Sequence, residues 1–200
     1  MQDARLRRGV EPSAECAAFT FEKIPRRVFL DTNVVNCLVK WSDRVFDNQA
    51  LPPDLHRELS EDIDSLRAIF LVGSRAQWDI VVSEKTIDEL SQTPNGSLRD
   101  HLLDYGGELV GYCRNSCEDG GRYARDLARR LIDSVFLADL PDRSDRELVA
   151  HAIALDCDTF CTCDRRTIYG RRHLLRRIPL RIMTPSDWWQ HIRPWARLWL

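Results

Sequence analysis

A chain of 200 residues, 44% hydrophobic and 30% charged, is long enough to bury one core of ordinary size and too apolar for wholesale disorder. Its net charge of −2 offers no global basic excess for nucleic acid. No apolar run reaches membrane-span length and the opening MQDARLRRGV lacks a signal-peptide core, so a cytoplasmic protein with no membrane partner is expected.

Residues 1–24 show no clean period and read as an N-terminal arm, leaving 25–200 as one domain. RVFLD (27–31) is a short β-rich run, and Val34 to Val39 continues with helical spacing. After the prolines of NQALPPD, apolar residues recur at Leu55, Leu59, Ile63, Leu66 and Phe70, which predicts one amphipathic helix stopped by Gly73. WDIVVS is a second strand, and Ser83 can cap a helix carrying Ile87 and Leu90. Residues 98–112 and 122–132 read as helices around an EDGG loop. The helical stretches near 53–72 and 98–132 are thus insertions between strands. SVFLADL (134–140) reads as a third strand or extended run. SDRELVAHAIALD predicts a helix opened by a Ser144–Glu147 capping box. TFCTC is a fourth strand, PLRIMT a fifth, and a Trp-rich helix (SDWWQHIRPWARLWL) follows. Strands alternating with helices predict a three-layer α/β/α domain on a mainly parallel sheet of about five strands.

The acids have a pattern on this framework. In an open parallel sheet, ligands bind beyond the carboxyl ends of the strands. Asp31 ends the first strand and Asp164 follows the fourth, while Asp145 opens the helix after the third and Glu89 lies in the helix after the second. Singly, each fits a cap or a turn. Crowded together, four carboxylates repel, and a hard divalent cation relieves them; oxygen ligands suit Mg²⁺ or Mn²⁺. Glu84 and Asp88 rival Glu89 on the same helix. Asp142 is assigned to a turn, and Asp156 and Asp158 to an exposed loop.

The ordered set FLDTN, VVSEKTIDEL and SDRELVAHAIALDCDTFCTCD, followed by IPLRIMTPSDWW, resembles the PIN-domain family of nucleases over residues 26 to 190. The resemblance implies metal-dependent hydrolysis of RNA phosphodiester bonds with Mg²⁺ or Mn²⁺. By position, Asp31, Glu89, Asp145 and Asp164 match the acidic quartet, Thr32 and Asn33 the residues that orient its first acid, and Thr162 the small polar residue before its last. Many bacterial members are toxins neutralised by a small antitoxin. RNA, an antitoxin and a second copy of the chain are therefore the expected partners. The extra helix between Asn33 and Glu89, the long 98–135 segment and the arm depart from the compact toxin pattern.

Arg165, Arg166, Arg171, Arg172, Arg176 and Arg177 crowd together after Asp164, in a chain whose lysines are only Lys23, Lys40 and Lys85. They read as an RNA-gripping surface, since guanidinium pairs bidentately with phosphate. The alternative is a solvated basic loop. Trp188, Trp189, Trp195 and Trp199 are assigned to core and partner contacts before base stacking. The seven cysteines lack paired C-x-x-C spacing and read as reduced thiols, and the histidines lack metal-ligand spacing. Two rival functions remain: a non-catalytic PIN-like module that binds RNA or protein, and a phosphohydrolase with an Asp nucleophile. The second wants another Asp where Asn33 stands.

Overall fold

The computed structural model describes residues 14–76, 78–115, 122–175 and 177–199. Four strands, β1 (Arg27–Leu30), β2 (Asp79–Val81), β3 (Thr159–Cys161) and β4 (Arg181–Met183), form one parallel sheet in the order β2-β1-β3-β4. Residue alternation sends neighbouring side chains of one strand to opposite faces. Val28 and Leu30 enter one apolar cluster, whereas Phe29 enters the other and stacks on Phe160, ring centroids 5.4 Å apart. A sheet buried on both faces reads as continuous apolar runs, which is why RVFL and TFC are legible as strands.

The first face is covered by α2 (Thr32–Lys40), α3 (Ser42–Val45), α4 (Arg57–Ala76), α5 (Glu84–Ser91), α6 (Gly96–Asn115) and α10 (Pro185–Ile192). The second carries α7 (Arg122–Ile132), α8 (Arg143–Ala154) and α9 (Ile168–Arg171). The expected α/β class holds, with helices on both faces. The crossover from β1 to β2 lies on one face and that from β3 to β4 on the other. Right-handed connections running in opposite directions across a sheet require this. Among the described residues, no helix is long and apolar enough to cross a membrane.

The sheet has four strands rather than five, because SVFLADL is not a strand. Its backbone turns repeatedly, with Leu137 N–H donating to Ser134 and Leu140 N–H to Leu137. Leu137 and Leu140, three apart, are buried, while the adjacent Val135 and Phe136 are both exposed. That is turn spacing, not alternation.

Helix α4 does not stop at Gly73 but runs through to Ala76. A Cβ at Gly73 would collide with Trp78 Nε1, so the glycine admits an indole rather than ending a helix. The Ser144–Glu147 box is also absent. Asp142 caps α8 instead, accepting from Ser144 N–H at 2.8 Å, and both side chains of the expected box turn elsewhere. The expected cap at Ser83 forms, and it is a capping box with Thr86 as its second member. Asp158 is no solvated acid. It accepts from the Arg26 and Arg27 N–H groups and the Thr159 hydroxyl, and it pairs with Arg181.

The described part of the arm, α1 (Ala14–Ala18) and the turn after it, lies against the C-terminal segment. Trp195 Nε1 donates to the Phe19 carbonyl at 2.7 Å, and Phe21 packs edge-on against Trp195. Trp188 is fully buried in the core. Cys16, Cys37, Cys157, Cys161 and Cys163 are not in disulfides.

Candidate active site

The chain leaves β1 toward β2 on one side and β3 toward β4 on the other, so the carboxyl ends of the adjacent β1 and β3 define the switch point of the sheet. Asp31 follows β1 directly. Thr162, Cys163 and Asp164 follow β3.

Asp31 is only 4% exposed. It stands at the N-cap of α2, yet its side chain makes no cap hydrogen bond. Instead Oδ2 accepts from Asn33 Nδ2 and from the Thr162 hydroxyl, each at 2.6 Å. Asn33 Oδ1 in turn accepts from Cys163 N–H at 2.8 Å, so Asn33 ties both strand ends to the acid. Burial pushes the Asp31 carboxyl up to about 7, and the Glu89 charge adds to this, against the lowering effect of its hydrogen-bond donors. A bland cap would not be withdrawn from its helix and buried at such cost.

Glu89 is held from three sides. The Thr32 hydroxyl donates to Oε2 and the Ser144 hydroxyl to Oε1, both at 2.5 Å, and Lys85 Nζ lies 3.5 Å from Oε1. Lys85 also reaches Glu147 at 3.3 Å. The Thr32 hydroxyl therefore serves Glu89 while its backbone N–H serves Asp31, and Asn33 and Thr162 serve Asp31 as expected from position.

Asp145 projects from the first turn of α8. Its Oδ2 is buried with no hydrogen-bond partner. Burial raises its pKa; the Thr167 hydroxyl opposes that, and the charges of Asp142, Asp164 and Glu89 add to it. Asp164 accepts from the Arg166 and Thr167 N–H groups at 2.8 and 3.0 Å and from the Thr167 hydroxyl at 2.7 Å. Burial alone would raise its carboxyl, but these donors outweigh it and hold the group below the usual range. Thr167 thus sits between two acids of the quartet.

The four predicted acids come together as an electrostatic set: Asp31 feels Glu89, and Asp145 feels both Glu89 and Asp164. The donors are all oxygens, one of them orphaned on Asp145, which fits a hard divalent cation in kind. Among the described residues, however, no three His, Cys, Asp or Glu side chains are grouped closely enough to enclose an ion.

The basic segment is less uniform than its sequence. Arg165 Nη2 pairs with the buried Asp62 at 2.9 Å, and its Nε approaches Glu58 at 3.3 Å, joining α4 to the loop after Asp164. Arg171 donates to the Asp139 carbonyl, and the Arg172 guanidinium lies over the Tyr169 ring at 3.8 Å. Arg166 and Arg177 are exposed, and Arg176 lies outside the described residues. Sequence reasoning missed Lys85, Ser144 and Thr167 as partners of the acids. The signal available was their helical or turn offset: Lys85 precedes Glu89 by four, and Thr167 follows Asp164 by three.

No family model matches the chain, and no curated protein or solved structure matches it either.

Proposed function

We propose that this protein is a metal-dependent ribonuclease whose site is the quartet Asp31, Glu89, Asp145 and Asp164. One observation carries the reading. Four acids spread over 134 positions of sequence lie around the carboxyl ends of β1 and β3, where Glu89 acts on both Asp31 and Asp145 and Asp164 acts on Asp145. Acids that served only as caps would have no reason to converge.

The chain's own residues position the reacting groups. Asn33 and Thr162 aim Asp31, Thr32 and Ser144 aim Glu89, and Thr167 spaces Asp145 from Asp164. A Mg²⁺ or Mn²⁺ ion held by the four carboxylates would supply an activated water and stabilise charge developing on the phosphate. Arg166, Arg171, Arg172, Arg176 and Arg177 would hold the RNA backbone alongside; Arg165 is committed to Asp62. The antitoxin partner and a second copy of the chain rest on the family resemblance alone.

The second reading, a non-catalytic RNA-binding module, draws on the open spacing of the acids and on their complement of protein donors. Cleavage of an end-labelled RNA with Mn²⁺ or Mg²⁺, before and after EDTA, separates the two. Activity that EDTA removes, that added metal restores and that Asp31→Asn lacks establishes the nuclease. RNA binding without cleavage under all these conditions establishes the module.

A further inference from the structure

We infer that Lys85 is the phosphate-gripping cation of the site, released from its two glutamates when RNA binds. The inference rests on the nuclease reading and names the group that admits a polyanion to an acidic site.

Lys85 lies in the first turn of α5, four residues before Glu89, with its side chain 22% exposed. Its ammonium stands 3.5 Å from Glu89 and 3.3 Å from Glu147. Both distances exceed the span of about 2.7–2.9 Å typical of charge-assisted hydrogen bonds. The ammonium is therefore attracted to both carboxylates and locked to neither. Neither depends on it. Glu89 keeps the Thr32 and Ser144 hydroxyls, and Glu147 keeps Arg143 Nε at 3.2 Å. A flexible four-carbon stem carrying three donors can turn to a new acceptor without disturbing either acid.

The demand for such a group comes from the charge of the site. A phosphate approaching four carboxylates meets repulsion, and the expected basic segment answers it incompletely. Arg165, the arginine nearest Asp164, is committed to Asp62 and Glu58 and so stands outside the phosphate-gripping set. Lys85 already stands among the acids, in direct contact with one of the quartet.

The test uses the full chain and a single-stranded RNA oligonucleotide of mixed sequence, in EDTA so that cleavage and metal binding play no part. Fluorescence anisotropy gives the dissociation constant across a salt series for wild type, Lys85→Gln and Lys85→Arg, each checked by thermal melt. Lys85→Gln is expected to weaken low-salt binding roughly fivefold, the worth of one unit-charge contact in water. It is also expected to reduce the log–log salt slope by about 0.7, the value for one phosphate contact on a single strand. Lys85→Arg should restore the slope. A lysine that merely braces Glu89 would leave the slope unchanged in Lys85→Gln, and that result overturns the inference while leaving the nuclease reading intact. A wild-type chain that neither binds nor cleaves RNA overturns both.

Discussion

The Thr162 hydroxyl donates to Asp31 Oδ2 across 2.6 Å, joining the carboxyl ends of β3 and β1 over a carboxylate that burial has made costly to ionise. The Asp31 carboxyl stands at about 7 in the fold against 3.8 for the free group. Between those values the folded state holds a proton that the unfolded state has lost. Stability contributed by this group is therefore full below about pH 4 and falls as pH rises toward 7, by about 1.4 kcal/mol per pH unit across that interval. In metal-free buffer, Asp31→Asn is expected to melt higher than wild type at pH 8 and nearly level with it at pH 4. Its amide can present oxygen to Thr162 and Asn33 just as the protonated acid does. Thermal melts at the two pH values check this; an equal deficit at both refutes the assignment.

On the nuclease reading, the same buried acid would make cleavage pH-dependent. A cation needs Asp31 ionised, so its binding must release the proton Asp31 holds below about pH 7. Mn²⁺-supported kcat/KM is expected to rise with pH through a single inflection at or below 7 and then level off. A Mn²⁺ affinity that does not rise with pH between 5 and 7 would exclude Asp31 as a ligand.

Ser144 separates positioning from folding. Its hydroxyl serves Glu89, whereas its N–H is capped by Asp142. Ser144→Ala should reduce cleavage and cost about 1.5–3 kcal/mol of stability, the range for a hydrogen bond to a charged group. Asp142→Ala should cost about 1 kcal/mol through removal of the helix cap and reduce cleavage less. Chemical denaturation beside single-turnover cleavage reads both quantities.

In an ordinary helix interior, Gly→Ala stabilises by about 1 kcal/mol. At Gly73 the sign reverses, because the new methyl would meet the Trp78 indole. That ring cannot easily yield, since Trp188 and Trp199 pack against it with centroids 6.0 and 5.6 Å away. Gly73→Ala is expected to destabilise by about 1–3 kcal/mol, as overpacked cores do, and to alter tryptophan fluorescence.

Replacing Arg171, Arg172 and Arg177 by Gln is expected to weaken RNA binding and flatten its salt dependence by up to about 2 log–log units, about 0.7 for each phosphate no longer neutralised. Divalent-ion affinity should hold, since none of the three is a proposed ligand. Unchanged binding would reduce this segment to a solvated surface.

The α/β framework is legible because buried parallel strands are short apolar runs; Asp31 and Asp164 can be placed because they come shortly after two of these, Asp145 because it lies in the first turn of a helix, and Glu89 only as one of several acids on its helix. The errors share a cause: sequence pattern does not show which atoms a side chain will reach. SVFLADL has strand composition, but burial falls on Leu137 and Leu140 rather than on alternate residues. Gly73 resembles a stop because its neighbour Trp78 arrives from beyond the helix. Ser144 and Glu147 have cap spacing, yet the nearer Asp142 takes the cap, which leaves them for Glu89 and Lys85. The Ser144 hydroxyl's partner, Glu89, is more than fifty positions away in the chain.

The contact between Trp195 and the Phe19 carbonyl spans 176 positions of chain. Closing so long a loop costs entropy that grows with the logarithm of its length, and only an assembled core can offset it. The described part of the arm is therefore expected to dock after the sheet has formed and to detach early on warming. It is a late-forming, early-opening unit, in which amide exchange at Trp195 and Trp199 should be among the fastest of the C-terminal segment, well ahead of that in β1 and β3.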